Sequence, residues 1–346
     1  MFGLGRAMRI RTIVTLSNKQ FMASMNTMDA RTQRFVAGWK RASMGFAVGG
    51  AAIALVLGKS VKEAAAFEQS LANMNSVARV TQGEFKKLRG LALEMGRTTR
   101  VGATDAAGAM YELASAGQRT AQIMNTLPGI IQLSTATQYG LSETTKTVVS
   151  TLNAFGYETD QTERLTNVFA ATIGKTLAKM EKLDASLSML GPTAKAAGME
   201  IEETAAALGI LYNAGLDGSR AGTSLRRVLS ALLNPSESLK ARIFALGMTI
   251  DDIDPRMHSL REIMDRLRES GMDARAAFQD FGLRGAAALL TLMNAGRSLD
   301  ELERNVTGTK DAAIMAEMQM NSLQGSLDHL KNATQALLIE WGVSLI

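Results

Sequence analysis

Cysteine is absent from the 346 residues, and there are only 2 histidines and 4 prolines. Without cysteine the chain has no disulfide framework, thiolate zinc site, iron–sulfur cluster or Cys nucleophile. His258 and His329 stand far apart in the sequence, so an imidazole metal site or Ser–His catalysis would rest on one ring. Aromatic residues make up 5% of the chain. With so few prolines, that argues against an all-β build, which needs turn prolines and aromatic strands. Ala, Leu, Met and Gly dominate instead. Helix is the expected structure, with frequent glycine stops. The 46% hydrophobic and 21% charged content is that of a folded chain. The 21 methionines either replace leucine in a helical core or build adaptable surfaces.

Acid is also missing, locally. Residues 1–62 carry Arg6, Arg9, Arg11, Lys19, Arg31, Arg34, Lys40, Arg41, Lys59 and Lys62 against the single acid Asp29. Residues 63–346 hold 28 bases and 32 acids. A basic arm beside a mildly acidic body is expected to meet something negative. The arm lacks the interleaved bases and aromatics of a single-strand binder, so no specific nucleic-acid recognition is expected. It also lacks a secretory signal, because Ile13–Leu16 is too short an apolar core. Residues 10–16 are β-prone and predict one short strand.

Residues 42–58 form the most apolar stretch, 17 residues without a charge. As a helix it would span roughly 26 Å, the short edge of what crosses a bilayer. Two readings stay open: a helix buried in an assembly, or a conditional membrane segment with Ala52 and Val56 at its middle. The chain therefore divides into a basic arm with an apolar helix (1–62), a helical core (63–308) and a long C-terminal helix (309–346), interrupted at most by Gly325. Along the core, Thr81 and Glu84 form a capping box. Pro128 marks a first helical turn ahead of Ile130. Asn234-Pro235-Ser236 separates two helices.

Three segments share one layout. Leucine stands four residues before Gly117, Gly156 and Gly215, at Leu113, Leu152 and Leu211. Small or apolar residues stand seven and eight before each, on one helical face. An acid opens each helix, where the dipole favours negative charge. The glycine then ends it in the left-handed conformation. Asn294-Ala295-Gly296 extends the series to a fourth copy. The unequal anchor spacing points to a multi-helix bundle with helix–Gly–helix corners, not to a regular solenoid.

Chemistry-bearing motifs are missing. Gly58-Lys59-Ser60 and Gly174-Lys175-Thr176 end like a P-loop, but the glycine required five positions before Gly58 and Gly174 is replaced by Ile53 and Phe169 respectively. Asp251-Asp252-Ile253-Asp254 lacks calcium-loop spacing. Glu262 and Asp265 beside His258 sit among arginines and read as a salt-bridged face. No catalytic, metal or cofactor-binding residue is assigned, and no cofactor is expected.

The order of several weak motifs is more specific. Phe67-Glu68-Gln69-Ser70-Leu71-Ala72 is followed by Tyr111-Glu112-Leu113-Ala114-Ser115-Ala116-Gly117, then Ala196-Ala197-Gly198-Met199, then Asn213-Ala214-Gly215. Gly222, Thr223, Leu225 and Arg226 come next, in Ala-Gly-Thr-x-Leu-Arg. From about residue 60 to 340 the chain resembles the core region of phage tail tape measure proteins. The resemblance implies a structural, non-enzymatic protein that fills the growing tail, sets its length and leaves through the tube at infection. It implies several copies side by side, contact with the tail tube protein, tail assembly chaperones and baseplate or tail-tip proteins, and membrane contact at infection. It places the protein in the virion tail lumen, and in the host cytoplasm during assembly. The chain is short for that family and ends in an apolar run without a capping signal, which predicts a truncated product. A helical binding scaffold unrelated to phage and a membrane-active helical protein are the alternatives.

Overall fold

The computed structural model describes residues 49–343. The chain divides into Met1–Val61 and Lys62–Ile346. In the first unit, residues 49–61 are described and are helical. The expected strand at 10–16 and residues 42–48 of the apolar stretch lie outside the described residues.

Among the described residues there are fifteen α-helices, two short 3-10 turns and no strand. In chain order they are α1 (Gly49–Ala78), α2 (Gln82–Thr98), α3 (Ala103–Ser115), α4 (Thr120–Thr137), α5 (Leu141–Phe155), α6 (Thr162–Lys175), α7 (Met180–Ala196) and α8 (Ile201–Asn213). Then follow α9 (Gly218–Leu233), α10 (Glu237–Ala245), α11 (Leu260–Glu269), α12 (Ala274–Ala295), α13 (Arg297–Val306), α14 (Asp311–Met320) and α15 (Leu323–Val343). The all-α expectation is borne out.

In Lys62–Ile346 each helix from α3 to α7 packs on the helix two places along. α3 lies on α5, α5 on α7 and α7 on α9, while α4 lies on α6 and α6 on α8. That makes two layers. The chain then returns along the second layer: α13 covers α8, α14 covers α6 and α4, and α15 closes on α2. Leu113, Leu127, Phe169, Leu190, Leu208 and Leu229 are fully buried between these helices.

Glycine makes the corners. At Gly117, Gly156, Gly198, Gly215, Gly247 and Gly271 the backbone φ is positive. At each, the next amide donates to the carbonyl five residues before it, as Gln118 does to Leu113, Tyr157 to Leu152, Met199 to Ala194 and Leu216 to Leu211. This closure satisfies carbonyls left open at a helix end. Two residues past Gly117, Gly198, Gly215 and Gly271 the chain re-enters helix, at caps Arg119, Glu200, Asp217 and Asp273.

The first-layer helices α3, α5 and α7 end at Gly117, Gly156 and Gly198, so Gly198 is the structural successor of the first two; Gly215 ends a second-layer helix. Gly296 differs from the others: with φ 50 and ψ −122 it is a sharp break directly between α12 and α13, not a left-handed cap.

Three local expectations need correction. Pro128 lies inside α4, not in a first turn. Burial of Ile123 and Leu127 before it and of Ile130 and Ile131 after it holds the helix together across the lost hydrogen bond. The run from 309 is two helices, parted at Asn321 and Ser322, with Gly325 inside the second. The stacking of alternate helices is also more regular than the anchor spacing indicated.

Nothing lies within 4 Å of a Cβ built at Gly215, whose φ is +87. Gly215→Ala therefore carries only the left-handed backbone penalty, and is expected to cost about 1–2 kcal/mol. Gly215→Asn is expected to lose less. Urea unfolding of the two variants checks this; equal stability of wild type and the alanine variant would count against the corner geometry.

Candidate functional site

The family-like segment lies on α9, where that helix meets α7. A Cβ at Gly218 would stand 2.7 Å from the Lys182 carbonyl oxygen, and one at Gly222 would stand 2.6 Å from both Cα and O of Ser186. Two glycines four apart therefore let the α9 backbone rest directly on that of α7. The contact is pinned by polar groups. Ser186 Oγ donates to the Gly218 carbonyl at 2.5 Å. The fully buried Tyr212 of α8 donates its hydroxyl into the same spot, 2.7 Å from Ser186 Oγ and 3.0 Å from the Lys182 carbonyl. Burial pushes the Tyr212 phenol up, so it stays protonated and able to donate. Leu225 is fully buried, Thr223 is half-buried, and Arg226 is exposed with Nη1 3.4 Å from the Met189 carbonyl. The segment is thus a helix joint.

A second cluster joins α6 to the start of α8. Arg164 donates to Glu202 through Nε at 2.6 Å and Nη2 at 2.5 Å, and through Nη2 to Glu200 at 3.0 Å. Its guanidinium lies over the Tyr157 ring, 5.3 Å from the centroid. The Tyr157 hydroxyl donates to Glu200 at 2.7 Å and accepts the Ile201 amide at 3.1 Å. That bond from Tyr157, then Arg164, hold the Glu200 carboxyl below its usual range. The Glu202 partnership raises the Arg164 guanidinium further still.

Beside this cluster Glu203 accepts the Leu260 amide of α11 at 2.6 Å. Burial, then the acids Glu303, Glu262 and Glu200, push its carboxyl up to about 7 from 4.5. The folded state holds this proton where the unfolded chain has released it. Its contribution to stability is full below pH 4.5 and is lost as pH rises through 7. Glu203→Gln keeps the acceptor and removes the charge. It is expected to raise stability by about 2 kcal/mol at pH 8 and by almost nothing at pH 4. Thermal melts at the two pH values check this, and a gain confined to pH 4 would refute it.

Other sequence candidates are held in structural roles. Asp252 accepts from the Thr249 amide and hydroxyl at 2.8 and 2.7 Å, and Asp254 is paired with Arg256. Gly174 and Lys175 close α6, a helix C-terminus whose carbonyls repel phosphate, and Lys175 faces Asp311 at 3.6 Å. His258 Nδ1 stands 3.8 Å from Glu262. Among the described residues no group of three or more His, Cys, Asp or Glu could hold a metal ion. Ala52 and Val56 fall on α1.

The α7–α9 joint and the Arg164 cluster were not read from sequence. Gly218-x-x-x-Gly222 was the available signal for the first. The second pairs residues far apart in the chain and leaves no local trace.

The fold is an all-helical array in which two polar clusters, Ser186 with Tyr212 and Arg164 with Glu202, join neighbouring helices. The family model for phage-related minor tail proteins matches residues 89–338, well over half of the chain, and the chain belongs to that family. It is 26% identical over 348 residues to the tape measure protein of Pneumococcus phage Dp-1, covering 94% of this chain and 30% of that protein. It is 28% identical over 335 residues to the probable tape measure protein of Escherichia phage P2, covering 91% of this chain and 41% of that one. The chain thus spans less than half the length of these curated relatives. No solved structure matches it. The family resemblance drawn from residues 60–340 is borne out.

Proposed function

We propose that the chain is a structural component of a phage tail and acts as a tape measure protein, lying in the tail tube, setting tail length and leaving at infection. The observation that carries this is similarity to two tape measure proteins over 94% and 91% of the chain. Its partners in this proposal are other copies of itself, the tail tube protein, tail assembly chaperones and baseplate or tail-tip proteins. It is made in the host cytoplasm and ends in the virion.

The fold refines the role. A helix advances about 1.5 Å per residue, but the corners at Gly117, Gly156 and Gly198 return the chain on itself. Lys62–Ile346 is then a folded station on the tape, and reach comes from segments outside it. Disrupting the gene in a phage that carries it should leave particles without tails of uniform length; normal tails would refute the proposal. Muramidase, peptidase and nucleoside triphosphatase assays on the purified chain should read blank.

Among the described residues no helix is long and apolar enough to cross a membrane. Membrane contact at infection is assigned in this proposal to residues 42–58, whose basic flanks suit anionic headgroups. Replacing Ala52 and Val56 together by Asp should abolish flotation with phosphatidylglycerol vesicles and leave the helical signal of the rest unchanged. A wild-type chain that ignores vesicles would remove this assignment.

A further inference from the structure

We infer that the face built by α9 and α12 is a docking surface for a protein segment that carries carboxylates around an apolar stripe. The charge comes first. Within these two packed helices the charged residues are Arg220, Arg226, Arg227, Arg275, Arg284 and Asp280. The Asp280 side chain is fully buried, paired with Arg242 of α10, and accepts from Ser238 Oγ at 2.7 Å. All five arginines are exposed, and none has an ion-pair partner among the described residues. They sit on a body, residues 63–346, whose acids outnumber its bases, 32 to 28. Exposed arginines without ion-pair partners on an otherwise acidic body select an anionic partner.

The apolar part comes from a break in α12. At Gly282, with φ 68 and ψ 172, the backbone leaves the helix. Arg227 braces the break: its Nε donates to the Phe281 carbonyl at 3.3 Å, and its stem lies so close to Gly285 that a Cβ there would stand 2.9 Å from Arg227 Cγ. Beside the break Phe278 is 44% exposed and Leu283 is 77% exposed, more than any other large hydrophobic among the described residues. Phosphate backbones need cations but no leucine. Arg, Phe and Leu without a lysine match the interior of protein interfaces, where arginine and aromatics are enriched and lysine is depleted.

The test uses the purified full chain and is independent of tail assembly. The probe is a short amphipathic helical peptide of Leu and Glu, titrated by fluorescence anisotropy and mapped by hydrogen exchange. Protection is expected on α9 and α12. Arg275→Glu with Arg284→Glu should weaken binding about tenfold or more. Leu283→Ser, which leaves the charge alone, should weaken it severalfold, and a polyglutamate of equal length should bind less well than the Leu/Glu peptide. Circular dichroism confirms that the variants fold; Arg275→Gln with Arg284→Gln replaces the charge reversal if it does not. Absence of binding, or binding indifferent to Leu283, overturns the proposal. So does phosphatidylglycerol-vesicle binding with the same dependence on Leu283, or concentration-dependent self-association lost in these variants, since the occupant would then be a membrane or a second copy.

Discussion

Gly222→Ala is expected to destabilise the protein by about 2–3 kcal/mol, although alanine is the better helix former. The added Cβ would lie 2.6 Å from Ser186 Cα and its carbonyl oxygen, atoms of the α7 backbone that cannot rotate away. Either α9 lifts off α7 or both helices shift. Lifting would also stretch the Ser186–Gly218 and Tyr212–Ser186 hydrogen bonds, leaving buried polar groups less well satisfied. Gly90→Ala is the matched control. Gly90 lies inside α2 with nothing within 4 Å of its Cβ position, so there the helix propensity acts alone and stability should rise by about 0.5–1 kcal/mol. Opposite signs for one chemical change, read by urea unfolding with unchanged slopes, are the expected result. If both substitutions stabilise, α9 and α7 do not approach as described.

Arg164→Met should cost about 3 kcal/mol at neutral pH. The Glu202 side chain is only 8% exposed, and both its oxygens are held by that guanidinium. Methionine fills similar space but leaves a carboxylate with little access to water. The loss would loosen the entry to α8, because Tyr157, Glu200 and the Ile201 amide are tied to the same group. Arg164→Met combined with Glu202→Met should recover most of the stability, since a buried pair often contributes little beyond the cost of breaking it. A double variant as unstable as the single one would show that the cluster acts through packing alone.

Local chemistry was legible in the sequence. The Thr81–Glu84 capping box closes over adjacent residues, with the Thr81 amide 3.0 Å from Glu84. The corners at Gly117 and Gly156 are equally local: a left-handed residue, a carbonyl five back and a buried leucine lie within one turn. Helix content follows from the same short-range preferences. The family was legible for a different reason, because the order of motifs from Phe67 to Arg226 survives where each motif alone is weak.

Tertiary structure decided the rest. Gly198 makes the same corner as Gly117 and Gly156, yet its helix carries Ala194 where the others carry Leu113 and Leu152, and Gly191 where they carry Met110 and Val149. A Cβ at Gly191 would meet Ala154 of α5 at 2.8 Å, so the small residues answer to a neighbouring helix and hide the repeat. Pro128 stays helical because core burial on both sides outweighs one lost hydrogen bond. Gly222 and Arg164 owe their roles to Ser186 and Glu202, some 36 to 38 positions away. Caps and corners are set by bonds within a turn, which a sequence displays directly; helix joints and buried charge pairs are set by which distant backbone arrives opposite, and only the folded chain supplies it.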